Sequence, residues 1–81
     1  MKKRVLIHYF ALLREQRGKS KEWFKTEAET LGDLYVELKR KHGFTLEADH
    51  LKVALNADFA DMNSGFEEKA TIAFIPPVAG G

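Results

Sequence analysis

Apolar positions along this chain follow two periods. From Arg4 to Phe10, Val5, Ile7 and Tyr9 fall on one parity, and Leu6 and Phe10 on the other. That pattern predicts a strand covered on much of both faces and central in its sheet. Ala11 to Arg17 consists of good helix formers and stops at Gly18, so one or two helical turns are expected. Ser20 to Thr26 reads as a second strand through Trp23 and Phe24. The clearest element follows: Leu31, Leu34, Tyr35 and Leu38 recur at helical spacing behind Thr30, with Asp33 three residues on as in a capping-box variant. Lys39, Arg40, Lys41 and His42 fill its last turn, where exposed cations complement the helix dipole by roughly 0.3 to 1 kcal/mol each. Gly43 ends it.

After a polar connection, Leu51 to Leu55 alternates as a strand, and Asn56-Ala57-Asp58 is a turn because Asn and Asp tolerate left-handed backbone angles. Phe59-Ala60 starts a short returning strand, and Asn63-Ser64-Gly65 is another turn. Ala70 to Ile75 is the final strand, stopped by Pro76-Pro77, which offer no amide donors. One long helix among short strands implies an α+β layer arrangement with the helix on one face of the sheet. Pairing of the first and last strands in the middle makes that arrangement a β-grasp, a mixed sheet of about five strands with one main helix. Residues 1–75 would form this domain and residues 76–81 an extended tail.

Composition narrows the class. The chain has 81 residues with 44% hydrophobic and 11% aromatic content, ordinary for one folded domain. A chain of this size buries roughly 60 to 65% of its unfolded surface, which allows one modest core. Cys is absent, which excludes disulfides, Cys-ligated zinc and a cysteine nucleophile. The basic start Met1 to Arg4 has the look of a signal peptide, but His8 and Arg14 interrupt an apolar run too short for one. A cytoplasmic protein without a membrane span is expected. Net charge is +1, from 13 basic and 12 acidic residues, and gives no overall bias toward nucleic acid or membrane. His8, His42 and His50 have no metal-ligand spacing, so no metal site is expected; His8 is the one that merits inspection.

The end of the chain carries the chemistry. A terminal carboxylate becomes a useful electrophile once activated, and glycine lacks the Cβ that would block a narrow channel. Terminal glycines are commonly just frayed. Here Pro76-Pro77 follow a strong strand and direct Val78, Ala79, Gly80 and Gly81 away from the sheet in a polyproline-like course.

Three segments together resemble the small subunit of molybdopterin synthase, a ubiquitin-like sulfur carrier. They are Tyr9-Phe10-Ala11 with Leu13-Arg14-Glu15, Val53-Ala54-Leu55-Asn56, and Ala73-Phe74-Ile75-Pro76-Pro77-Val78-Ala79-Gly80-Gly81. They stand in the family's order and cover nearly the whole chain. The resemblance implies that an E1-like partner uses ATP to adenylate the Gly81 carboxylate and that a sulfur donor protein converts it to a thiocarboxylate. The tail, Pro76 to Gly81, would then enter the large synthase subunit and deliver sulfur to cyclic pyranopterin monophosphate, forming the dithiolene. The family implies a heterotetramer with that subunit, no cofactor bound to the carrier and no activity of the carrier alone. Gly81 is then the reacting residue, and tethering it to a docked domain supplies proximity.

The family also docks through an apolar surface near the tail, and the positions here that match it are Phe10, Phe59 and Ile75. By alternation Ile75 faces away from Ile72 and Phe74, so that pair or Ile75 is core, but not all three. Phe10 and Phe59 fit core positions equally well. Arg14 fits a partner contact or a plain helix charge. One departure is visible: the family usually has Gly-Asp before the last strand, where this chain has Lys69-Ala70. A sulfur carrier for another pathway, such as thiamine thiazole synthesis, shares the same end, though such carriers are typically shorter and lack Pro-Pro-Val. A nucleic-acid module is disfavoured because the aromatics sit mainly at core parity and the helix cations are explained by the dipole.

Overall fold

The computed structural model describes residues 2–77, so Val78, Ala79, Gly80 and Gly81 of the expected tail lie outside the described residues. The elements run β1 (Lys3–Tyr9), α1 (Ala11–Arg17), β2 (Lys21–Thr26), α2 (Leu31–His42), a 3-10 turn (Ala48–His50), β3 (Lys52–Leu55), β4 (Asp58–Ala60) and β5 (Thr71–Ile75). The polar connection after α2 therefore holds a short helical turn that the sequence pattern did not announce.

The five strands form one sheet in the order β2-β1-β5-β3-β4. β1 and β5 pair in parallel, Ile7 opposite Ile72 and Tyr9 opposite Phe74, and the other three pairs are antiparallel. A parallel pair needs a crossover, and the chain between β1 and β5 supplies one that includes α2. The first and last strands thus meet inside the sheet as expected, and the fold is a ubiquitin-like β-grasp.

Val5, Ile7, Tyr9, Phe24, Val53, Ile72 and Phe74 point to one face and bury against Leu31, Leu34, Tyr35 and Leu38 of α2. Their alternation along each strand, and the helical spacing along α2, are the two periods of the sequence brought face to face. The opposite face corrects the reading of β1. Leu6 and His8 are only half-buried, whereas Leu13 of α1 and the buried residues of α2 join Val5, Ile7 and Tyr9 in the core on the other face. β1 is interior by position in the sheet, and only one of its faces is covered.

α2 is capped as expected by Thr30, whose Oγ1 accepts a hydrogen bond from the Asp33 amide at 3.1 Å. Two further amides of its first turn, on Leu31 and Gly32, donate to the carbonyls of Ser64 and Met62. Its far end closes at Gly43 with φ 73°, a value glycine adopts without Cβ strain. Between β3 and β4, Asn56 and Ala57 both take left-handed angles, and Asn56 exchanges hydrogen bonds with Thr71 through its amide and its Oδ1. The Lys69-Ala70 departure still makes a turn: Lys69 adopts φ 68° and its amide donates to the Arg4 carbonyl at 2.7 Å. Among the described residues no helix is long and apolar enough to cross a membrane.

Candidate functional site

β5 delivers Pro76 and Pro77 to the rim of the sheet beside the start of α1. There Phe10, Ala11, Leu12, Glu15, Leu46, Ile75, Pro76 and Pro77 line an apolar cleft of about 610 Å³. A second cleft, of about 410 Å³, runs along the other side of the prolines between Asp49, His50, Leu51 and Lys52. The base of the tail therefore stands between two depressions. Pro76 is buried and Pro77 exposed, so the chain is anchored at the first of the two prolines.

The cleft walls are fixed by polar contacts behind them. Arg17, at the end of α1, donates to both Glu22 oxygens, Nε at 2.9 Å and Nη2 at 2.6 Å, and the Tyr9 hydroxyl donates to Glu22 Oε2 at 2.6 Å. This knot ties α1 to β2 and to the residue just before Phe10. Hydrogen bonds from Arg17, outweighing the cost of burial, hold the Glu22 carboxyl down at about 2. Burial, reinforced by the Glu22 carboxylate, pushes the Tyr9 hydroxyl well above its usual range. His42 Nε2 lies 3.5 Å from Glu22 but is buried without a hydrogen bond. Burial, then the nearby Arg17 charge, lowers the imidazole below its ordinary pKa. His42 is thus a neutral, buried group at neutral pH, which corrects its assignment to the cationic end of α2; Lys39, Arg40 and Lys41 keep that role.

On the opposite wall, Leu46 is held by its carbonyl, which accepts from the Tyr35 hydroxyl at 2.8 Å. The adjacent Thr45 exchanges hydrogen bonds with the Gln16 side chain of α1. Burial, with the Glu47 charge, raises Tyr35 to about 12, so this anchor stays protonated at physiological pH. Ala11, at the mouth of the cleft, has φ 50°. An alanine in the left-handed region stores backbone strain beside the site.

The structure sorts the expected interface residues. Phe10 (44% exposed), Ile75, Pro76 and Pro77 come together in the cleft, and Ile75 faces away from the fully buried Ile72 and Phe74. Phe59 is 74% exposed on the edge strand β4, so neither it nor Phe10 is a core residue. Phe59 does not line the cleft; Lys52, opposite Ile75 in the register, lies with its Nζ 5.8 Å from the centre of the Phe59 ring. Arg14 is exposed on α1 and does not line the cleft. His8 stands half-buried on the uncovered face, beside Lys21 and Ala73. Leu12 (38% exposed) and Leu46 complete the cleft and went unnoticed in the sequence. The available signal was the Leu12-Leu13 pair: neighbours on a short helix sit about 100° apart, so both cannot be buried on one stripe.

With the geometry in hand, residues 7–81 match the ThiS family model. Comparison with curated proteins gives no match. Among solved structures, SAMP1 from Haloferax volcanii is similar over 96% of this chain and 99% of its own, at 25% identity and a TM-score of 0.78. The complex of subunits 1 and 2 of the molybdopterin-converting factor from Helicobacter pylori 26695 matches over 100% of both chains at 28% identity and a TM-score of 0.63. The small archaeal modifier protein 1 of Methanosarcina acetivorans, 18% identical with a TM-score of 0.79 over 100% of this chain and 99% of its own, shows the shared fold.

Proposed function

The chain belongs to the ThiS family and is a ubiquitin-like sulfur carrier, and from that premise we propose that it is the small subunit of a molybdopterin synthase, acting in the cytoplasm. An E1-like enzyme adenylates the Gly81 carboxylate with ATP, releasing diphosphate; the persulfide sulfur of a sulfur donor protein displaces AMP, and a thiol cleaves the resulting acyl disulfide to leave a thiocarboxylate. The tail from Pro76 to Gly81 then enters the large subunit and transfers sulfur to cyclic pyranopterin monophosphate. The carrier brings no bound cofactor and no catalytic side chain of its own.

The observation that carries this reading is the apolar cleft at the tail base. Phe10, Leu12, Leu46 and Ile75 surround Pro76 and Pro77, so a partner that fills the cleft grips the domain where the reactive arm departs. Docking there makes delivery of the terminal group effectively intramolecular. The H. pylori structure, a complex of two converting-factor subunits, supports a large subunit as that partner.

Intact mass spectrometry after incubation with the cognate adenylating enzyme, ATP and a sulfur source is expected to show a gain of about 16 Da, oxygen exchanged for sulfur. Normal sulfuration of a chain lacking Gly81 sinks the proposal. The family match also favours a second reading, a carrier for thiamine thiazole synthesis. Supplying the thiocarboxylate to a large subunit with the pterin precursor separates the two, since only the synthase reading yields the dithiolene product.

A further inference from the structure

The uncovered face of the sheet has a one-sided charge. By register its residues are Arg4, Leu6 and His8 of β1, Lys21, Trp23 and Lys25 of β2, Thr71, Ala73 and Ile75 of β5, Lys52 and Ala54 of β3, and Phe59 of β4. Four cations stand among these strand residues and no carboxylate, in a chain whose 13 basic and 12 acidic residues nearly cancel. The acidic residues are on the helices, the loops, the covered side of β2 and the start of β4. Trp23, 48% exposed, lies beside Leu6 in the register, with Arg4 Cζ 4.6 Å from its ring centre.

We propose that the β1–β2 half of this face is a second docking surface, with Trp23 as anchor and Arg4, Lys21 and Lys25 around it, for an acidic protein surface bearing an apolar socket. The occupant is the acidic surface of the adenylating enzyme that receives the tail, so the proposal rests on the sulfur-carrier reading. Three arguments support this occupant. A partner reaching Ile75 at the tail base meets the same sheet face, and Leu6, Thr71, Ala73 and Ala54 offer a low surface from there to Trp23. A row of cations whose own strands offer no carboxylate on this face, with Glu68 reaching only the Arg4 amide, attracts an acidic partner and repels a second copy of this face, which disfavours a dimer built through it. A single strand of nucleic acid stacks successive bases on neighbouring aromatics. Trp23 and Phe59 instead occupy opposite edge strands, four spacings of about 4.8 Å or roughly 19 Å apart.

Isothermal titration calorimetry of the cognate adenylating enzyme against a chain lacking Gly80 and Gly81 reads docking apart from the chemistry of the tail. Trp23→Ala is expected to raise Kd about tenfold or more, as loss of a buried aromatic anchor does, and Trp23→Phe to restore part of it. At about 50 mM salt Lys25→Glu is expected to weaken binding at least about fivefold and to lose that effect as salt rises, whereas Arg40→Glu, the same charge change on α2, stays within about twofold. Kd unchanged by Trp23→Ala, or equal losses from Lys25→Glu and Arg40→Glu, overturns the proposal. Tighter binding of a uridine oligonucleotide than of the enzyme overturns it too. Because sulfuration of the intact chain is scored separately, Trp23-independent docking of a normally sulfurated chain refutes only this surface. Trp23-dependent docking of a chain that never gains sulfur refutes only the carrier function.

Discussion

Lys69 sits at φ 68°, where a side chain with a Cβ pays a steric cost of roughly 1 to 2 kcal/mol. The turn is held by the Lys69 amide on the Arg4 carbonyl and the Ala70 amide on Glu67, both backbone bonds that any residue could make. Lys69→Gly is therefore expected to stabilise the protein by about 0.5 to 1 kcal/mol, read as a higher urea midpoint with unchanged m value. Only the family's Gly-Asp at this point marked the position in the sequence; the lysine itself carries no sign of the angle it is forced to adopt. Asn56 is the opposite case. Asn tolerates the left-handed region and its side chain bonds nearby backbone, so its turn was legible in the residue itself, although Ala57 beside it adopts φ 76° without any such aid.

At the scale of elements, α2 was readable end to end because cap, apolar spacing and terminal glycine all agreed. The 3-10 turn at Ala48–His50 lacked such marks; three residues are too few to show a period. α1 was legible as a helix but not as a wall of the cleft. Its Leu13 is buried and its Leu12 faces the tail base, a division that depends on what packs nearby. Leu12→Asp is expected to change unfolding free energy by less than about 0.5 kcal/mol, as exposed substitutions do. The same substitution is expected to weaken binding of the large subunit about tenfold, because it puts a charge into an apolar interface. Urea denaturation paired with calorimetric titration checks both halves.

For the whole molecule, the knot of Tyr9, Arg17, Glu22 and His42 makes stability depend on acid. Glu22 titrates at about 2 when folded against an ordinary 4.5, so its contribution is complete above pH 4.5 and disappears as pH falls toward 2. By linkage that contribution is on the order of 3 kcal/mol. His42 acts with the same sign: its folded pKa is lowered, so below pH 6.5 the unfolded chain takes up the proton more readily and stability declines. Glu22→Gln is expected to cost about 2 kcal/mol at pH 7 and almost nothing near pH 2, measured by urea unfolding across that range. The sequence by itself determined the order of the strands and the two helices, the alternation along the strands, and the long helix with its caps, because each is encoded by residues close together in the chain. Tertiary structure alone decided that β1 has one bare face, that His42 is neutral, and that Leu12 and Leu46 join Phe10 and Ile75 around the prolines. It alone set Trp23 among cations on the open sheet. These features depend on pairing and packing between residues far apart in sequence, and local periodicity cannot specify which face a neighbour will cover.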